Sequence, residues 1–129
     1  MADKIKEIDE SKFVEILAQE EKLIIVEFYT NTCPNCAAIA PVYASLSNEL
    51  HKSAEFTKVN AETNQNLAMK YGVLGVPTFK FFCSGRPVGE IVGSINATIL
   101  RNTIKDYIKH KMECVGKSTP ISWEMDGYG

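Results

Sequence analysis

The sequence has no basic cluster, no acidic tail and a formal net charge of only −2 over 129 residues. Electrostatics alone therefore point to neither nucleic acid nor an anionic membrane as a partner. No apolar run approaches the roughly 20 residues that a membrane-spanning helix needs. The first residues, Met1-Ala2-Asp3-Lys4-Ile5-Lys6-Glu7, hold no apolar segment of the secretory kind. Four cysteines do not make a secreted disulfide framework in a chain of this size. A reducing cytoplasm is the resulting expectation, and there a close cysteine pair is catalytic more often than stapling. Internal repeats and low-complexity segments are missing too. At this length the chain fits one domain able to bury its own core.

Against that plain background one stretch stands out: Thr32-Cys33-Pro34-Asn35-Cys36. Upstream, Leu23-Ile24-Ile25-Val26-Glu27-Phe28-Tyr29 is too apolar for a surface strand and too short for a lone helix. Downstream, Ile39, Val42, Tyr43, Leu46 and Leu50 recur at helical spacing. Pro34 thus falls at the first helical position, where its missing N–H is no loss and its fixed φ is already helical. Cys33 becomes the N-cap, its sulfur within reach of the orphan N–H groups of Asn35 and Cys36 and at the positive end of the helix dipole. Both effects favour thiolate over thiol and mark Cys33 as the attacking nucleophile. Cys36 lies about one turn deeper on the same face, sheltered but close enough to close a small disulfide ring. One exposed thiolate with one sheltered partner is what a dithiol–disulfide exchanger requires.

The remaining elements follow from periodicity and punctuation. Ile5 and Ile8 give a weak first strand. Asp9, or else Ser11, caps a short helix with Phe13, Ile16 and Leu17 on its buried stripe. Pro41 sits inside the Cys33 helix and is expected to kink it, since the carbonyl at position 37 loses its partner. Residues 54–60 read as a strand with Phe56 inward, and Asn64 to Tyr71 as a short helix ended by Gly72. Thr78 to Cys83 is a strand, Ser84-Gly85 a hairpin turn, and Val88 to Val92 the return strand. Asn96 caps a final helix carrying Ile99, Leu100, Ile104, Tyr107 and Ile108. The order β-α-β-α-β-α-β-β-α predicts an α/β fold with one mixed sheet, helices on both faces, and the Cys33 turn at the carboxyl end of a central strand.

Several of these residues together carry a resemblance. Glu27-Phe28-Tyr29 precedes the cysteine pair, Pro41 follows Cys36, Lys58 and Asn60 fall on the next strand, Gly75-Val76-Pro77-Thr78 precedes the hairpin, and Gly93 follows it. The arrangement resembles a thioredoxin over roughly residues 2 to 111. Domain limits of 1–111, with a C-terminal extension at 112–129, are read from it. The motif departs from the family's usual Trp-Cys-Gly-Pro-Cys-Lys, reading Thr32-Cys33-Pro34-Asn35-Cys36-Ala37. Proline first inside the motif is more like a glutaredoxin. The glycine-rich glutathione-binding signature of those proteins is absent, since Gly93-Ser94-Ile95-Asn96 follows the hairpin instead.

The resemblance implies a thioredoxin fold of about five strands and a protein-disulfide oxidoreductase with Cys33 and Cys36 as its reversible disulfide and no separate cofactor or metal. Pro77 would be the family's cis-proline, holding Val76 opposite Cys33. Thr32, Pro34, Val76, Pro77 and Gly93 would face substrate. The implied partners are disulfide-containing client proteins and an upstream thioredoxin-reductase-like electron donor, with a monomeric, cytoplasmic protein between them. Glu27 interrupts an apolar strand, so it either reaches solvent at the strand end or is a buried carboxylate that accepts the Cys36 proton. The family carries a buried Asp at this place, paired with a lysine that matches Lys58.

Other residues offer less. Cys83 reads as an inert core thiol. Cys114, past the last helix, is either incidental or part of a regulatory or intermolecular disulfide. His51 and His110 fall near helix C-termini, where a cation suits the dipole. The tail holds Gly116, Pro120, Gly127 and Gly129, which oppose regular structure, but also Trp123 and Met125, which could fold back. Two other readings of the pair stay open: a binding module with a structural or sensing dithiol, and a shared zinc or iron–sulfur site needing ligands from a second copy.

Overall fold

The computed structural model describes residues 3–19, 22–93 and 95–110. In chain order the elements are β1 (Lys6–Glu7), α1 (Glu10–Gln19), β2 (Leu23–Tyr29), α2 (Pro34–Leu50), β3 (Ala54–Asn60), α3 (Gln65–Lys70), β4 (Thr78–Cys83), β5 (Arg86–Val92) and α4 (Ala97–Lys109). The five strands form one sheet in the order β1-β3-β2-β4-β5. β1, β3 and β2 run parallel, while β4 is antiparallel to β2 and to β5. The mixed sheet and the element order are those expected from the sequence.

β2 is the centre of the molecule because it can be buried on both faces. All of Leu23 to Phe28 is buried, as a strand covered by helices on both sides must be. Its alternate side chains feed two cores. Leu23 and Ile25 pack with Ile39, Tyr43 and Leu46 of α2 and Leu100 and Ile104 of α4. Ile24, Val26 and Phe28 pack with Phe13 and Ile16 of α1 and Leu67 of α3. Seven of the largest fully buried side chains are aromatic, and each buried ring contributes about 2 kcal/mol. Tyr43 reaches across the first core to donate its hydroxyl to Thr57 O at 2.8 Å.

Local chemistry sets the ends. Asp9 Oδ1 accepts from Lys12 N at 2.9 Å, and that backbone hydrogen bond, with a second from Ser11, holds its carboxyl below the usual range. Asn96 Oδ1 accepts from Ile99 N at 2.8 Å. Gly72, with φ +69°, ends the α3 region as expected. Pro41 is accommodated inside a continuous α2.

Three expectations need correction. β5 begins at Arg86, not Val88, because Ser84 and Gly85 both adopt positive φ and make a two-residue turn that pairs Cys83 directly with Arg86. Pro87 is tolerated there because β5 is an edge strand. Ile99 is half exposed rather than buried, one residue and so about 100° round the helix from Leu100. Cys83 is buried as expected but is disulfide-bonded rather than a thiol. The alternatives for Cys114 and for the 112–129 tail also lie outside the described residues. Among the described residues no helix is long and apolar enough to cross a membrane.

Candidate active site

β2 ends at Tyr29, three residues turn, and Cys33 caps α2 with Pro34 in the first helical position. Cys33 is extended, with φ −89° and ψ 113°, and its Sγ accepts the Cys36 N–H at 3.0 Å. The cap is made to Cys36 alone; no bond from the Asn35 N–H is formed. Both cysteines are free thiols, Cys33 partly exposed and Cys36 only 4% exposed. Burial is the largest cause pushing the Cys36 thiol up to about 12, and its contact with Cys33 adds to the effect. Thr32 and Pro34 flank Cys33 on the surface.

A second loop closes over this turn. The Val76–Pro77 peptide is cis, and Val76 O lies 3.6 Å from Cys33 Sγ, as its hydrogen-bond acceptor. Thr78 Oγ1 donates to Gly75 O at 2.6 Å and Gly93 N to Pro77 O at 2.9 Å, so the loop is tied to its own strand and to the end of β5. Gly93 has φ +90°, a backbone that suits a residue without a side chain. Val76 thus lies beside Cys33, with Gly93 tied to the same loop through Pro77.

Behind the cysteines lies a cavity of about 210 Å³ lined by Cys33, Cys36, Glu27, Tyr29, Asn31 and Lys58, among others. Glu27 is 4% exposed. Of its two possible placements, the buried one is realised. Desolvation pushes its carboxyl up to about 7, against the opposing pull of Lys58. The cavity therefore joins a buried carboxyl to the buried thiol. Lys58, however, is not ion-paired with Glu27 within 4.0 Å; its Nζ lies 3.8 Å from Glu7 Oε1. Tyr29 donates its hydroxyl to Glu7 Oε2 at 2.5 Å. Glu7 is not legible as a site residue in the sequence, because nothing there fixes the register of the two-residue β1. The register pairs Glu7 with Lys58 and Lys58 with Glu27.

No three His, Cys, Asp or Glu side chains converge as a metal site among the described residues. A metal would need ligands beyond Cys33 and Cys36.

A capped thiol, a sheltered partner thiol, a carboxyl behind them and a cis-proline loop in front stand together at one end of the sheet. Residues 4–106 match the family model described as thioredoxin. A thioredoxin of Synechocystis is 28% identical over 102 residues, which cover 79% of this chain and 95% of that protein. Thioredoxin H4 of Arabidopsis thaliana is 35% identical over 89 residues, covering 66% of this chain and 75% of that one. A solved thioredoxin variant from Halobacterium salinarum superposes with a TM-score of 0.74 at 28% identity, over 83% of this chain and 93% of its own. With the fold, the cysteine pair and the family model in agreement across most of its length, the chain belongs to the thioredoxin family.

Proposed function

We propose that the protein reduces or exchanges disulfides of client proteins through Cys33 and Cys36. Cys33, as thiolate, attacks one sulfur of a client disulfide in line; a Cys33–client sulfur bond forms and the client's other sulfur leaves as thiolate. Cys36 then gives its proton to Glu27 and attacks Cys33. The Cys33–Cys36 bond forms, the client is released as a dithiol, and two electrons have passed to it. An upstream reductase of the thioredoxin-reductase type returns the ring to the dithiol. No further cofactor is required, and the protein is taken to work as a monomer in a reducing compartment such as the cytoplasm.

The observation that carries this reading is the asymmetry of the two sulfurs. Cys33 Sγ is partly exposed at a helix N-terminus, while Cys36 is buried behind it and its proton is hard to remove. Val76 O beside Cys33 supports a client segment docking as an added strand. Thr32 stands where the family usually has tryptophan, so this chain presents less apolar surface beside Cys33 and a narrower range of clients is expected.

The test uses single serine variants and a protein disulfide such as that of insulin. Cys36→Ser accumulates a mixed disulfide through Cys33, and Cys33→Ser neither traps the client nor reduces it. Retained reductase activity in Cys33→Ser would contradict the reading. Unchanged partner binding with no trapping in either variant would favour a binding module instead.

A further inference from the structure

The side chains of Glu7, Lys58 and Glu27 form one cross-strand row over β1, β3 and β2. The parallel register pairs Glu7 with Lys58 and Lys58 with Glu27, and paired residues of parallel strands project to the same side of the sheet. One cation therefore stands between two carboxyl groups, and it is not shared equally. Lys58 Nζ is 3.8 Å from Glu7 and beyond 4.0 Å from Glu27, and it also lies over the Tyr29 ring, 5.3 Å from the centroid. Tyr29 fixes the far side of Glu7 through its hydroxyl. Both anchors hold the ammonium at the rim of the cavity.

We propose that Glu7, fixed by Tyr29, is a positioning residue that holds Lys58 outward and so leaves Glu27 unpaired as the proton acceptor for Cys36. The proposal rests on the oxidoreductase reading for its purpose, though not for its test. A carboxylate in direct contact with Lys58 would be held ionised and would be a weak base toward a buried thiol. With the ammonium drawn to the rim, the proton leaves Cys36 Sγ for a Glu27 oxygen, and the thiolate that remains attacks Cys33. Other groups facing Glu27 do not supply this control. From β2 there is Tyr29, whose hydroxyl is spent on Glu7; from the Cys33 turn and α2 there are the two thiols and Tyr43, whose hydroxyl is bonded to Ile25 O and Thr57 O. From β4 the paired residue is Phe79, which carries no charge.

The experiment follows the Glu27 side-chain carboxyl by carbon-13 NMR through a pH titration of the full reduced chain, in wild type and in Glu7→Gln, Tyr29→Phe and Lys58→Gln. Glu7→Gln removes the outer anion and frees Lys58 to approach Glu27, so the Glu27 midpoint moves to lower pH, by roughly half to one unit. Tyr29→Phe loosens Glu7 and moves it the same way by less. Lys58→Gln moves it upward, and in that background the Glu7→Gln shift shrinks. The pH limb of the resolving step, read from decay of a Cys33 mixed disulfide, moves acidward with the midpoint. Glu7→Asp, which keeps the charge, restores most of the wild-type midpoint.

A Glu27 midpoint unmoved by Glu7→Gln would overturn the proposal. An equal Glu7→Gln shift with and without Lys58 would overturn it as well, since Glu7 would then act on Glu27 directly. If the wild type fails to resolve its mixed disulfide, the oxidoreductase reading falls, while the carboxyl titration still decides this one.

Discussion

Removing the charge at position 27 should make the protein more stable at alkaline pH, at the expense of its chemistry. Glu27 is buried, and its carboxyl rises from an ordinary 4.5 to about 7, with desolvation as the main cause. Below about pH 4.5 the group is protonated in both folded and unfolded chains and has no effect on stability. Between about 4.5 and 7 only the folded chain holds the proton, so stability falls as pH rises through this window. Above about 7 both states are ionised and the full penalty persists. The shift of about 2.5 pH units, from 4.5 to about 7, corresponds to about 3 kcal/mol. Glu27→Gln keeps the shape and cannot ionise, so it loses this slope.

Urea unfolding of the reduced protein at intervals from pH 4.5 to 8.5 measures the effect, with the slope against urea as a check on the unfolded state. The variant's advantage over wild type should be near zero at the acid end and approach about 3 kcal/mol by pH 8. The same variant should resolve a Cys33 mixed disulfide about 10²-fold more slowly at pH 7, the usual scale for loss of a general base. A Glu27→Gln chain that is less stable than wild type at pH 8 would refute the reasoning, because Glu27 would then be a satisfied carboxylate. Unchanged resolution would separately remove Glu27 from the proton path.

Two further substitutions test the frame that holds the site. Tyr43→Phe removes a buried hydroxyl bonded to Thr57 O at 2.8 Å, and equilibrium unfolding should show a loss of about 1 kcal/mol with the dithiol chemistry intact. Asn96→Ala removes the side-chain cap of α4 and should lower stability by about 1 kcal/mol, with Asn96→Asp retaining most of it.

The legible part of this fold was the part written locally. β2 was readable end to end because a strand buried on both faces must be continuously apolar, and Pro34 with Cys33 located the helix start by steric and capping rules that need no tertiary context. Asn96 was readable for the same reason. The return strand starts two residues earlier than its apolar run indicates, at Arg86, and its edge position makes a proline at 87 harmless. Ile99 belongs to the apolar spacing of α4, yet the stripe is satisfied by Leu100 and Ile104 alone at full depth.

What the sequence withheld depends on sulfurs and charges meeting across the chain. Alternation put Cys83 in the core, but whether a buried sulfur is a thiol or a disulfide is decided by a residue elsewhere. Glu27 could be suspected, and its two alternatives differ only in burial, which the strand alone does not set. Glu7 was invisible as a site residue: it lies in a two-residue strand whose register against β3 is fixed by packing. Lys58 stands beside Glu27 in register, as the resemblance implies, but its ammonium contacts Glu7 rather than Glu27.

The central claim is that Cys33 and Cys36 form one reversible two-electron couple. It is tested most directly by equilibrating the protein in a series of thiol–disulfide buffers, trapping with an alkylating agent and reading the mass. The account predicts a single transition in which both thiols are lost together, confined to the Cys33–Cys36 peptide, at a potential near or below the cytosolic glutathione poise. A transition at a much higher potential would make the protein an oxidant or isomerase rather than a reductant. No joint transition of the two cysteines would contradict the account.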